Sequence, residues 1–199
     1  RYPRLGRAIR HSHPHAHDPA MIFIETKITG AYLIEPERLE DDRGHFTRGF
    51  CSREFAAAGI SFLPVQSNLS HNRSAYTLRG MHFHAAPYAE TKLVRCTAGR
   101  LFDVIVDIRD GSPSYGCWVG AELSRDNGSA LFIPAGCAHG FLTLEPDTDV
   151  FYQMSPHFTP GYERGFRWDD PDIGIDWPGT PAVISDRDAA LPLLREVSP

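Results

Sequence analysis

Leu101-Phe-Asp-Val-Ile-Val-Asp-Ile108 reads as a β-strand: β-branched and aromatic residues fill it, and neither glycine nor proline interrupts it. A period of two puts Leu101, Asp103, Ile105 and Asp107 on one face. Further runs of the same kind occur at residues 31–34, 92–96, 117–123, 130–133 and 149–154, with clusters of Gly, Pro, Asn and Asp between them. Only residues 52–58 read as helix, with Ser52 as the cap. Many short strands without helix–strand alternation predict an all-β sandwich or jelly roll rather than a parallel sheet. No internal repeat or linker follows Met21, so residues 21–199 read as a single domain.

Residues 1–20 stand apart. They are basic, contain proline and place His11, His13, His15 and His17 at alternate positions. Such histidines can bind a metal adventitiously, but the stretch reads as a disordered leader or a vector-derived remnant outside the fold.

Composition narrows the function classes. A chain of 199 residues that is 42% hydrophobic can bury a substantial core. Its net charge of −5 gives no electrostatic case for nucleic acid or a membrane surface, so an anionic ligand must be held locally. No apolar stretch approaches the roughly 20 residues that span a bilayer. The four cysteines (Cys51, Cys96, Cys117 and Cys137) lack CxxC spacing, which fits a reduced, cytoplasmic protein.

The chemistry gathers on strand-like segments. In Arg79-Gly-Met-His-Phe-His84, His82 and His84 are two apart and share a face, whereas Arg79 in a regular strand faces the other way. Gly80 marks a bulge that would turn Arg79 toward His82. Lys92 opens the next strand, and Pro134-Ala-Gly-Cys-Ala-His139 delivers a histidine to a sheet mouth. Asp103 and Asp107 either face water or contact these bases; the sequence leaves both open. Cations and imidazoles on the inner faces of a sheet cost free energy, so several together mark a site.

Residues 34–194 resemble the dTDP-4-dehydrorhamnose 3,5-epimerases, cupin-like enzymes of deoxysugar nucleotide biosynthesis. The resemblance rests on an ordered series that includes Asp42-Arg-Gly-His-Phe46, Val65-Gln-Ser-Asn68, Leu78-Arg-Gly-Met-His82, Lys92-Leu-Val-Arg95, Phe102 to Arg109, Ile133 to Phe141, Trp168-Asp-Asp-Pro171, Gly174 to Pro178 and Ser185-Asp-Arg-Asp188. It implies a cupin-type jelly roll, or double-stranded β-helix, with a few short helices. It also implies metal-free epimerisation of a nucleoside diphosphate 4-keto-6-deoxyhexose at C3, C5 or both, with no cofactor. By resemblance, His82 is the base and Asp188 orients it, Lys92 stabilises the enolate, and Tyr152 returns a proton from the opposite face. His139 and Asp103 support the sugar, while Arg43, Phe46, Gln66, Asn68, Arg79 and Arg187 contact base or diphosphate. A homodimer with strand exchange is implied, Arg43 and Phe46 serving the neighbouring subunit.

The departures are local. Arg48 stands where the family usually has a glutamate, which swaps an acceptor for a donor near the expected nucleobase pocket; Ser67 replaces an aspartate and His157-Phe158 a tyrosine pair, changes that spare the implied base, enolate cation and acid but alter their surroundings. Glutamine two residues after the base has become His84. The set His82, His84, Glu90 and His139 thereby approaches the metal-binding cupin pattern, an alternative reading as a metal-dependent oxygenase or isomerase using iron, manganese, nickel or zinc. Lys92 would then place a positive charge beside the metal. A non-catalytic sugar-nucleotide-binding cupin is the second alternative.

Overall fold

The structure is a computed structural model that describes residues 6–10 and 19–197. Two antiparallel sheets face each other. The larger has the strand order β1 (Ala8–Arg10), β2 (Met21–Glu25), β3 (Tyr32–Pro36), β11 (Ala130–Ile133), β8 (Thr91–Ala98), β13 (Thr148–Ser155) and β6 (Gln66–Asn72). The smaller runs β10 (Trp118–Ser124), β9 (Arg100–Asp107), β12 (Cys137–Thr143), β7 (Leu78–His84) and β14 (Glu163–Gly165). A separate hairpin joins β4 (Arg38–Asp41) to β5 (Gly44–Thr47). This is the all-β jelly roll that the strand pattern predicts.

The pleat explains why the strands read as they do. On β9, Leu101 and Ile105 enter the core between the sheets, while Phe102, Val104 and Val106 pack on the outer side of the smaller sheet against Met81, Ala138 and Phe166. Both faces are covered, so from Leu101 to Asp107 the strand is apolar apart from its two aspartates. The outer face of the larger sheet is closed by α1 (Ser52–Ala57), whose Phe55 is fully buried among Phe23, Phe62 and Phe132. Removing that ring would cost about 3–5 kcal/mol.

Three local features differ from expectation. Ser52 is the first helical residue rather than the cap, which is Cys51 with no side-chain hydrogen bond. A second helix, α2 (Asp186–Ala189), has no apolar periodicity to announce it and is held by Ser185 Oγ accepting from the Asp188 amide at 3.1 Å. Ala8–Arg10, inside the stretch read as leader, instead pairs with Ile22–Ile24 along β2; His11, His13, His15 and His17 lie outside the described residues.

Candidate active site

The bulge expected at Gly80 decides the geometry of β7. His82 pairs with His139 and Arg79 with Phe141, so Gly80 and Met81 of β7 lie opposite Gly140 alone on β12. Met81 and Phe83 face the outer cluster. In a regular strand Arg79 would join them, whereas the extra residue turns it inward beside His82. Gly80 has φ +123°, and a Cβ on it would lie 2.6 Å from Gly140 Cα and 2.8 Å from the His139 carbonyl oxygen. Only glycine permits both the dihedral and the approach.

These strands open onto a cavity of 340 Å³ between the sheets. The smaller sheet supplies Arg79, His82, His139 and Phe141, the larger supplies Ser70, Lys92 and Tyr152, and α2 with its cap supplies Ser185, Arg187 and Asp188. An adjoining lobe of 350 Å³ shares His82, Lys92, Tyr152 and Arg187 and adds Gln66, Asn68, His84, Glu90 and Phe158. Size and polarity suit a small polar ligand.

Asp188 Oδ1 lies 2.8 Å from His82 Nε2, and Asp188 Oδ2 accepts the Gly80 amide at 3.2 Å. Burial pushes this carboxyl up, but the His82 ring, the Gly80 amide and Arg187 outweigh it and hold the group below the usual carboxylate range. With Nε2–H directed at Asp188, Nδ1 of His82 carries the lone pair. His139 Nε2 contacts Asp103 Oδ1 at 2.7 Å, and Asp103 is wholly buried. Asp103 thus orients His139 from behind and does not line the cavity. Asp107 binds Arg109, Ser112 and Ser114, away from the site.

Lys92 and Tyr152 lie on the inner face of the larger sheet. Lys92 pairs with Met154, and Tyr152 with Val94, which makes Lys92 and Tyr152 diagonal neighbours. Burial, then the Glu90 carboxylate, pushes the Tyr152 phenol above its ordinary value, against the opposing effects of Arg79 and a hydrogen bond to Asn68. Glu90 lies 2.7 Å from Lys92 Nζ through one oxygen and 2.7 Å from His84 Nδ1 through the other.

The remaining residues divide. Gln66 and Asn68 face the cleft from β6, whereas Ser67 is exposed on the opposite side of that strand. Arg79 is held by Asn72 Oδ1 at 2.8 Å. Arg43 and Phe46 are not brought to this cleft. They sit on the β4–β5 hairpin, beside a different cavity, with Phe46 64% exposed and Arg43 paired to Asp41. Arg48 lies beside Glu54, 2.8 Å from its Oε1, and Glu54 also accepts the Met21 amide. The metal set does not converge. His82, His84 and His139 each engage a different carboxylate, and no group of three or more His, Cys, Asp or Glu among the described residues is arranged to hold a metal ion. Sequence reading missed Ser70, Phe141 and Ser185. The Ser185-x-x-Asp188 spacing, a helix-capping signature, was the available signal for the last.

The family model for dTDP-4-dehydrorhamnose 3,5-epimerase matches residues 25–196. The chain belongs to the dTDP-4-dehydrorhamnose 3,5-epimerase family. It is 46% identical over 178 residues to the enzyme of that name from Sinorhizobium fredii, covering 89% of this chain and 91% of the relative. Among solved structures, the Bacillus anthracis dTDP-4-dehydrorhamnose 3,5-epimerase, with TDP and PPi bound, is similar at TM-score 0.85 and 42% identity over 88% of this chain and all of that one. The Legionella pneumophila epimerase, in complex with dTDP-4-keto-L-rhamnose, is similar at TM-score 0.84 and 38% identity, covering 89% and 95% of the two chains. The family fold is the cupin jelly roll, and the dyad of His82 and Asp188 lies at the mouth of its two sheets in this member.

Proposed function

We propose that this family member epimerises a nucleoside diphosphate 4-keto-6-deoxyhexose, converting dTDP-4-dehydro-6-deoxyglucose to dTDP-4-dehydrorhamnose. The observation that carries the mechanism is the placement of a carboxylate-bound imidazole and a protonated phenol on opposing sheets of one cavity. The C4 ketone acidifies the hydrogens at C3 and C5. His82 Nδ1 takes one of them, and Asp188 stabilises the resulting imidazolium. The electron pair moves onto the C4 oxygen, where Lys92 supplies a cation matched to charge that develops along the reaction path. Tyr152 then delivers a proton to the carbon from the other face, which inverts the centre.

Arg79 and Arg187 suit the diphosphate because guanidinium donates in pairs. Gln66 and Asn68 extend the cleft toward the nucleoside, and His139, oriented by Asp103, borders the sugar. Arg43 and Phe46 support a homodimer with strand exchange: the hairpin that bears them leaves them exposed and away from this chain's own cleft, in position to serve a second copy. We place the protein in the cytoplasm. Burial pushes the Cys96 thiol up to about 11 and Cys137 up to about 12, and all four cysteines are unpaired. Among the described residues, no helix is long and apolar enough to cross a membrane.

The test is product analysis by NMR after incubation with dTDP-4-dehydro-6-deoxyglucose. Formation of the L-sugar that depends on His82 supports the reading, and an unchanged sugar contradicts it. Sedimentation tests the dimer: a fully active monomer would sink it.

A further inference from the structure

Glu90 and His84 line the adjoining lobe of the cleft yet are almost wholly buried. Glu90 is 6% exposed and His84 7%, and both are paired at 2.7 Å, His84 to Oε1 of Glu90 and Lys92 to Oε2. The Lys92 contact is an ion pair without hydrogen-bond alignment, since Glu90 Oε2 accepts no aligned hydrogen bond. Lys92 is therefore held by charge against Glu90 while it also lines the cavity. His84 Nε2 is also fully buried without a partner among the described residues, and the ring packs edge-on against Phe158 at 5.2 Å. Among the described residues Glu90 is the one polar group that the His84 ring is paired with, so the ring is placed to fix that carboxylate.

We infer that His84 and Glu90 are positioning residues that set the location of the Lys92 ammonium for stabilising the enolate oxygen. The physical need is specific. A lysine on a flexible stem has many rotamers, and oxyanion stabilisation is lost when the cation must reorganise during the reaction. A free Glu90 would swing with Lys92, whereas a carboxylate anchored through Oε1 by His84 cannot. The charged or titratable groups lining the lobe beside this pair, His82, Tyr152, Glu163 and Arg187, come from β7, β13, β14 and α2, so the relay is enclosed on several sides. This inference rests on the assignment of Lys92 to the enolate.

The experiment is steady-state kinetics with dTDP-4-dehydro-6-deoxyglucose on His84→Ala, His84→Gln, Lys92→Ala and the His84→Ala/Lys92→Ala double variant. A 1 Å displacement of a catalytic group costs about a hundredfold, so His84→Ala should lower kcat roughly ten- to a hundredfold with KM within about twofold. Glutamine can still donate to Glu90 Oε1, and His84→Gln should recover most of the rate. In the Lys92→Ala background, His84→Ala should add less than about a twofold loss, because the residue acts through Lys92. If alanine leaves a void that unfolds the chain, His84→Met fills it without holding Glu90 and should show the same kcat loss. Equal losses in both backgrounds, or unchanged kcat in His84→Ala or His84→Met, overturn the inference. Lys92→Ala with full activity would instead overturn the assignment of Lys92 itself, and this inference with it.

Discussion

Asp188 grips His82 with one carboxylate oxygen and the Gly80 amide with the other, so the imidazole and the bulge that aims it are fixed by the same group. The imidazole is thereby oriented by the very distortion that brings Arg79 into the cleft. Asp188→Asn keeps the shape but no longer favours the imidazolium. It should lower kcat about a hundredfold or more while leaving nucleotide affinity near normal, as measured by steady-state kinetics and calorimetry with dTDP.

Tyr152 is held protonated by burial and by Glu90. Tyr152→Phe should preserve proton removal but block delivery from the far face, so solvent exchange should continue while the inverted sugar fails to accumulate. Because the phenol is shifted upward from 10, the wild-type kcat profile should show no loss attributable to Tyr152 as pH rises toward 10.

Gly80→Ala would drive a methyl group into Gly140 and the His139 carbonyl at an unfavourable φ. The combined strain and overpacking should cost about 3 kcal/mol, read from urea unfolding. Activity should fall further than stability alone accounts for, since the shift would also loosen the Gly80 contact to Asp188.

Acid should destabilise the fold through two carboxylates. At Asp107 burial raises the carboxyl, but hydrogen bonds from Arg109, Ser112 and Ser114 outweigh it and leave it far below its usual value; Asp188 is shifted the same way. Both bind protons less readily folded than unfolded, so their stabilisation is present above about pH 4 and is lost as pH falls toward their folded values. Asp107→Asn should lower stability at pH 7 and flatten its decline below pH 4, measured by chemical unfolding across that range.

The strands were legible where both faces are buried or where β-branched residues alternate. Leu101–Asp107 and residues 130–133 declared themselves, and Gly80 declared its bulge. β6 escaped notice because Gln66, Asn68, Ser70 and Asn72 face a polar cleft and its other side is largely exposed, so it carries no apolar period. α2 is a single turn held by Ser185, too short for periodicity. The residues of the site could be named from motifs, but the burial of Asp103 behind His139 and the bridge from His84 through Glu90 to Lys92 arise from strand register. Placing Arg43 and Phe46 depends on a hairpin whose position relative to a cleft is not encoded in local pattern.

Proton removal by His82 can be watched by proton NMR in deuterium oxide. Chelator-treated protein is given dTDP-4-keto-6-deoxyglucose and the C3 and C5 signals are followed. At least one of these signals should disappear with the wild-type chain and persist with His82→Asn, which should still bind nucleotide. Persistence of both signals with the wild-type chain, or equal loss with His82→Asn, would contradict it.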